Sequence, residues 1–461
     1  MKRTFLFLLS VSLFSTGFAQ KKYNPTWESI DSRPIPTWFT DAKFGIFIHW
    51  GLYAVPAWGP VGKEWPVYSK YAEWYWYRMQ SDSSKVGNAF RAFHAKTYGP
   101  NFRYQDFANS FKAELFNPDQ WADLFAASGA KYVVLTSKHH EGFTLWPSKE
   151  SWNWNAVDVG PHRDLAGDLT RAVKKKGLHM GFYYSLYEWY NPLYHTNVGR
   201  YVDEHMLPQL KDLVTRYSPD VVWPDGEWEH PSSTWKSTDF LAWLYNESPV
   251  RETVVVNDRW GKETRSKHGG YYTTEYDLIG DVNSKEIKMA HPWEECRGIG
   301  GSFGYNRAET LQEYESSASL VHLLIERVAK GGNLLLDIGP AADGTIPVIM
   351  QQRLLDMGRW LQANGEAIYG TQAWSKVPQA KKEATQFFTQ KGQDLYVLCT
   401  TFPTAPIVVE NVGKPSRVSL LGSKAVVQST AGNGGVTIIP PDLKPGETGE
   451  YAWVFKLEGV H

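Results

Sequence analysis

The sequence predicts an α/β fold, a (β/α)8-like barrel followed by a C-terminal antiparallel β-sandwich. Three observations lead there. From Lys43 onward, near-continuous apolar runs of strand length alternate with longer periodic segments, the pattern of a parallel sheet covered by helices. The units are numerous enough to close an eight-stranded barrel. Beyond about Tyr369 the texture changes to short strands divided by Gly, Pro, Asn and Ser, as in a sandwich. An open doubly wound sheet shares the first pattern, but no glycine-rich nucleotide loop follows the first strand.

Met1 to Gln20 reads as a secretory signal peptide: Lys2 and Arg3, then an apolar run from Phe5 to Phe18, then the small Ala19. It is too short for a membrane span, and no lipobox Cys stands near its end. Residues 21–369 are assigned to the barrel and 370–461 to the sandwich. Strands are expected at Lys43 to Trp50, Tyr132 to Thr136, Leu178 to Ser185, Asp220 to Trp223, Thr253 to Asn257 and Asn333 to Ile338. Helices are expected at Asp119 to Ser128, His162 to Lys176, Asp203 to Tyr217, Thr238 to Tyr245, Leu311 to Lys330 and Pro347 to Asn364. Glycines and polar residues blur two units between Gly261 and Phe303. In the sandwich, strands are expected at Leu395 to Cys399, Ile407 to Glu410, Arg417 to Leu421, Ala425 to Val427, Gly435 to Ile439 and Tyr451 to Leu457.

Charge excludes some classes of partner. With 48 basic and 49 acidic residues and no long run of either sign, neither nucleic acid nor an anionic membrane surface is indicated. No later stretch is apolar for long enough to span a bilayer, so an exported protein is expected, periplasmic, extracellular or lysosomal according to its host. Aromatics make up 15% of residues, more than a core requires, and suit a groove that receives the C–H face and hydroxyl rim of a sugar. Cys296 and Cys399 fall in different expected domains, which favours two free thiols over one disulfide.

Polar residues gather just past the expected barrel strands, the face on which barrel enzymes place their chemistry. These are His49-Trp50, His139-His140, Tyr183-Tyr184, Trp223 to Trp228, Asn257-Asp258-Arg259, and Glu275 and Glu294. Asp225, in D-V-V-W-P-D-G-E-W-E, is the candidate nucleophile, a carboxylate on a rigid strand tip beside an aromatic wall. Its bland alternative is a helix N-cap or salt-bridge partner, and Glu227 and Glu229 compete with it. Candidates for a proton donor are Glu275 in Y-Y-T-T-E-Y and Glu294 or Glu295 in H-P-W-E-E-C. Tyr271, Tyr272 and Tyr276 around Glu275 would raise its pKa toward the working pH. The histidines suit hydroxyl recognition better than a metal, because adjacent His139 and His140 would point apart if both lay on an extended strand. Arg259 could fork two hydroxyls or fix the nucleophile. The Gly331 to Pro340 run lacks the order of a phosphate loop and reads as a turn into the last strand. No cofactor or metal is expected.

With those residues in view, the chain resembles the α-L-fucosidases of glycoside hydrolase family 29. The resemblance rests on F-G-I-F-I-H-W-G at Phe44 to Gly51, S-K-H-H-E-G-F at Ser137 to Phe143, W-N-W-N at Trp152 to Asn155, D-V-G-P-H-R-D at Asp158 to Asp164, V-V-V-N-D-R-W at Val254 to Trp260 and N-L-L-L-D-I-G-P at Asn333 to Pro340. It implies an exo-acting, retaining hydrolysis of terminal α-L-fucosides on oligosaccharides or glycoconjugates. It also implies Asp225 as nucleophile and Glu275 as acid/base, with Glu294 as the rival. Sugar contacts implied are His49, Trp50, Glu64, His139, His140, Tyr184, Trp223, Trp228 and Arg259. A non-catalytic sugar-binding protein and a metal-dependent deacetylase are the competing readings, and an oligomer is compatible with the sequence.

Overall fold

The computed structural model describes residues 21–276, 291–374, 385–432, 434–443 and 450–460. The expected signal peptide, Met1 to Gln20, lies outside the described residues. Eight strands form the main sheet: β1 (Phe44–Ile48), β2 (Tyr132–Lys138), β3 (His179–Ser185), β4 (Val221–Asp225), β5 (Val255–Val256), β6 (Tyr272–Glu275), β7 (Trp293–Gly298) and β8 (Gly332–Ile338). Their order is β5-β4-β3-β2-β1-β8-β7-β6, and every neighbouring pair is parallel. Among the described residues the sheet closes between β5 and β6 through a single bridge, Asn257 opposite Tyr271, where the Tyr271 N–H donates to the Val256 carbonyl at 3.1 Å. Gly270 permits that approach, since a Cβ there would stand 1.8 Å from the Val256 oxygen.

Alternation along the strands sorts side chains into two buried layers. Phe47, Tyr132, Val134, Tyr183, Val221, Trp223, Val255, Tyr271 and Leu335 fill the lumen. Ile46, Ile48, Val133, Leu135, Phe182, Tyr184, Val222, Leu334 and Leu336 face the surrounding helices. Burying each such aliphatic or phenyl side chain stabilises the fold by roughly 1.5–3 kcal/mol. The helices used below are α1 (Lys85–Tyr98), α2 (Pro118–Ala127), α3 (Leu165–Lys175), α4 (Leu207–Tyr217), α5 (Ser237–Asn246), α6 (Ser317–Ala329) and α7 (Val348–Asn364). Two begin later than the sequence suggests because a capping side chain sets their start. Asp164 accepts from the Gly167 N–H at 2.9 Å ahead of α3, and Ser316 from the Ser319 N–H at 3.0 Å ahead of α6.

The C-terminal part comprises β9 (Gln372–Ala373), β10 (Gln386–Lys391), β11 (Asp394–Cys399), β12 (Ile407–Glu410), β13 (Arg417–Leu420), β14 (Gln428–Gly432), β15 (Gly435–Ile439) and β16 (Trp453–Glu458). They form two antiparallel sheets, β13-β16-β11-β10-β9 and β12-β15-β14, around Leu395, Val397, Ile407, Val409, Val436, Ile438, Phe455 and Leu457. The expected strand at Ala425 to Val427 is absent and β14 follows it instead; β10 has no counterpart in the sequence expectation. The larger sheet docks on the barrel helices: Trp360 of α7 donates to the Ala452 carbonyl at 2.9 Å, and Tyr396, Leu398 and Val454 join the outer barrel layer. Cys296 and Cys399 are both free and buried. No helix among the described residues is long and apolar enough to cross a membrane.

Candidate active site

The lumen-facing register that carries Phe47, Tyr183, Trp223 and Leu335 continues upward to His49, Asp225 and Asp337. β4 therefore ends with Asp225 aimed at the barrel mouth. Gly226, at φ +75°, turns the chain away at once, and a Cβ there would lie 2.5 Å from the Tyr187 Cβ. Arg259 Nη1 donates to Asp225 Oδ1 at 2.6 Å, and the Tyr183 hydroxyl donates to Oδ2 at 2.9 Å. Arg265 Nη2 stands 3.9 Å from Oδ1. Burial opposes ionisation of Asp225, but the charges of Arg259 and Arg265 and the two hydrogen bonds outweigh it and hold the carboxyl below its ordinary range.

Glu275 ends β6 on the same mouth. The Tyr71 hydroxyl donates to its Oε1 at 2.9 Å, and Arg259 Nη2 lies 3.6 Å from Oε2. One guanidinium thus spans both carboxyls. Burial raises the pKa of Glu275, and the negative charge on Asp225 adds to that, while Arg259 opposes it. The tyrosines expected around Glu275 do other things. Tyr271 points into the lumen toward Glu294, Tyr272 stacks on His291 with ring centroids 3.9 Å apart, and the Tyr276 hydroxyl donates to the Gly300 carbonyl at 3.2 Å. Tyr71 supplies the phenol instead.

Glu294 is fully buried below the mouth. It accepts from the Tyr132 hydroxyl at 2.5 Å and from Trp223 Nε1 at 2.9 Å, and burial pushes its carboxyl up to about 7. It fastens the underside of Trp223 and does not line the cavity. Glu295 points outward to Arg327. Of the competitors to Asp225, Glu227 also lines the cavity but is paired with Arg265, and Glu229 accepts from the Tyr194 hydroxyl at 2.5 Å.

Above Trp223 lies a cavity of about 480 Å³ that brings together Asp225, Glu275, His49, His139, His140, Trp223, Trp228 and Arg259. His49 Nδ1 is 2.6 Å from Asp337 Oδ1, and His140 Nδ1 is 2.6 Å from the Ser185 hydroxyl, so each ring is oriented by its rear nitrogen. Burial holds both imidazoles well below their ordinary pKa, hence neutral, able to donate or accept. Phe47, Phe303 and Trp223 make an apolar wall, and the Arg259 guanidinium sits 4.4 Å from the centre of the Trp223 ring. Trp228, 38% exposed, lies at the rim, stacked on Trp74 with centroids 6.2 Å apart. Among the described residues no group of three or more His, Cys, Asp or Glu could hold a metal ion.

Three of the expected sugar contacts stand outside this cavity. Trp50 and Tyr184 occupy the outward register: Trp50 packs against Phe116 and Trp121 and donates to the Ala341 carbonyl at 2.8 Å, and the Tyr184 hydroxyl donates to Gln209 at 2.8 Å. Neither reaches the cavity, and Tyr183 takes the inward place. Glu64 is exposed on a loop outside it; the acid that lines the cavity from that part of the chain is Glu73, which accepts from the Gly304 N–H at 2.9 Å and is raised by burial to about 7. Tyr71, Glu73 and Trp74 had no periodic signal, since they sit in irregular backbone and a 3-10 turn. Their only trace was the aromatic density of Y-A-E-W-Y-W-Y, residues 71–77. Arg265 was hidden in the blurred stretch after Gly261.

Comparison with known proteins gives the family. The α-L-fucosidase family model matches residues 11–366. The chain is similar to the tissue α-L-fucosidase of Rattus norvegicus, with 44% identity over 470 residues that cover 99% of this chain and 97% of that protein. It is 43% identical to the α-L-fucosidase of Dictyostelium discoideum over 476 residues, 99% of this chain and 98% of that protein. Among solved structures, the Thermotoga maritima α-fucosidase in complex with fucose has 36% identity, covers 95% of this chain and 100% of its own, and superposes with a TM-score of 0.77. The Thermotoga maritima α-L-fucosynthase in complex with α-L-Fuc-(1-2)-β-L-Fuc-N3 has 37% identity, coverage of 95% and 99%, and a TM-score of 0.78. Matched by the family model over most of its length and by these relatives over 95% or more of it, the chain belongs to the α-L-fucosidase family, glycoside hydrolase family 29.

Proposed function

We propose that this protein is a retaining, exo-acting α-L-fucosidase in which Asp225 is the nucleophile and Glu275 the acid/base. The observation that carries the assignment is the single Arg259 guanidinium between two carboxyls whose pKa values are driven in opposite directions, Asp225 down and Glu275 up. Such a divided pair is what a double displacement needs, and retaining enzymes keep their two carboxyls only about 5 to 5.5 Å apart. An Asp225 oxygen bonds to the anomeric carbon as the glycosidic bond breaks, and the leaving oxygen keeps the bonding electrons and takes the proton of Glu275. Glu275, now ionised, removes a proton from water; that water attacks the anomeric carbon, the bond from that carbon to the Asp225 oxygen breaks with its electrons returning to the carboxylate, and L-fucose leaves.

His49, His139, His140, Glu73 and Arg259 would hold the ring hydroxyls, and the wall of Phe47, Trp223 and Phe303 would take the C5 methyl. A C5 hydroxymethyl group placed there would lose its hydrogen bonds, which favours fucose over galactose-type sugars. Fucosylated glycans are the substrates, and residues 370–461 form a separate bracing domain. Export through Met1 to Gln20 to the periplasm, an extracellular space or a lysosome, according to the host, completes the reading.

The test is chemical rescue. Asp225→Gly should lose activity on an aryl α-L-fucoside, on the order of 10⁴-fold or more, and regain it with azide as a fucosyl azide product. No azide product from a folded variant sinks the nucleophile assignment.

A further inference from the structure

The barrel is thinnest where its chemistry sits. Between β5 and β6 the backbone supplies one bridge, yet Arg259, just past β5, must hold its guanidinium between Asp225 on β4 and Glu275 on β6. A chain of side-chain hydrogen bonds crosses this seam. Arg259 Nε donates to Thr273 Oγ1 at 3.0 Å, and that hydroxyl donates to Asp258 Oδ1 at 2.7 Å. The Thr273 N–H donates to the same Asp258 oxygen at 3.1 Å, and the Ser266 N–H donates to Oδ2 at 2.8 Å. Asp258, Arg259 and Thr273 are all nearly inaccessible to solvent.

The direction of the chain is set by chemistry. A guanidinium only donates, so the Thr273 oxygen must accept from it; the one hydroxyl proton is then committed to Asp258. We propose that Thr273 and Asp258 are positioning residues that clamp the Arg259 guanidinium across the β5–β6 seam, and so keep it on both reacting carboxyls at once. The inference rests on the roles proposed for Asp225 and Glu275. Thr273 is tied to function because its hydroxyl takes the Nε proton, while Nη1 and Nη2 face the nucleophile and the acid.

Loosening Arg259 changes the titration of its two neighbours in a calculable direction. Asp225 is faced by Arg259, Arg265, Tyr183, His140 and His49; Glu275 by Arg259, Asp225, Tyr71, Arg265, Tyr68, Glu73 and Cys296. Arg259 lowers the pKa of both carboxyls. When it drifts, both rise. Asp225 must be ionised to attack and Glu275 protonated to donate, so both limbs of the pH profile of kcat/KM move to higher pH.

The experiment measures that profile on an aryl α-L-fucoside for wild type, Thr273→Val, Thr273→Ala and Thr273→Ser, with folding checked by thermal unfolding. The variants without the hydroxyl should lose about 10- to 100-fold in kcat/KM, the scale of a misplaced active-site group, with both limbs displaced upward, and Thr273→Ser should return the wild-type profile. A folded Val or Ala variant whose limbs stay in place, however low its activity, overturns the proposal. So does failure of both to fold while Thr273→Ser folds, because Thr273 would then be structural. Failure of the catalytic assignment is separable: it shows as active Asp225→Gly, or as no fucosyl azide in the rescue, whatever Thr273 does.

Discussion

Where β8 meets β1, the ladder runs without interruption from Phe44 opposite Leu334 to Ile48 opposite Ile338, flanked on both faces by aliphatic and aromatic side chains except at Asp337, which orients His49 at the mouth. Across the barrel, β5 is two residues long and meets β6 through one bridge, and what joins them above it is Arg259, Thr273 and Asp258. The first region is held by backbone pairing and apolar burial. The second is held by polar side chains that also set charge at the cavity. One molecule thereby separates the part that keeps it folded from the part that tunes its protons, and perturbing each should give a different kind of defect.

The largest expected effect is on the thin side. Glu275→Ala should cost about 10²- to 10⁴-fold in kcat with a poor, alkyl leaving group and far less with an activated aryl one, as removal of a general acid does. Equal losses on both, with Glu294→Ala sparing the activated substrate, would transfer the acid role to Glu294. On the well-paired side, Leu336→Ala should lower unfolding free energy by about 2–5 kcal/mol through the cavity it leaves, with the pH profile of the surviving enzyme unmoved. A displaced profile there would erase the distinction between the two regions. The smallest effect tests the seam side again: the Tyr71 hydrogen bond lowers the pKa of Glu275, so Tyr71→Phe should raise it and shift only the alkaline limb upward, by less than about 1 pH unit. Movement of the acid limb instead would mean that Tyr71 acts on Asp225.

The same contrast explains what could be read from the sequence. β1 to β4 and β8 were legible because their runs are apolar on both faces, as strands of a helix-covered sheet are. β6, Y-T-T-E, and β7, W-E-E-C-R-G, were not, because their inward places carry Thr273, Glu275 and Glu294 and the outward Glu295 meets Arg327, so no hydropathy signal survives. Asp225, the histidines and Arg259 stood out as polar groups at strand ends. Which of two adjacent residues faces inward, Tyr183 or Tyr184, depends on strand phase, which a continuous apolar run does not reveal. Glu73 and Tyr71 reach the cavity from backbone with no periodicity at all, beyond the range of pattern reasoning.

Burying carboxyls has a price that depends on the medium. Glu73 and Glu294 are pushed up to about 7 and Glu309 to about 8, chiefly by burial. In the unfolded chain they titrate near 4.5. A raised carboxyl means the folded molecule binds protons that the unfolded one has released, so the stability these three groups contribute is fully present below pH 4.5 and is lost as pH climbs through 7 to 8. Asp225, with its depressed pKa, acts oppositely and only in strong acid. His49 and His140, buried as neutral rings, oppose this below about pH 6.5, where the unfolded chain binds protons that they do not, so urea midpoints should fall from about pH 6.5 to pH 8.5, which leaves the architecture vulnerable to alkali.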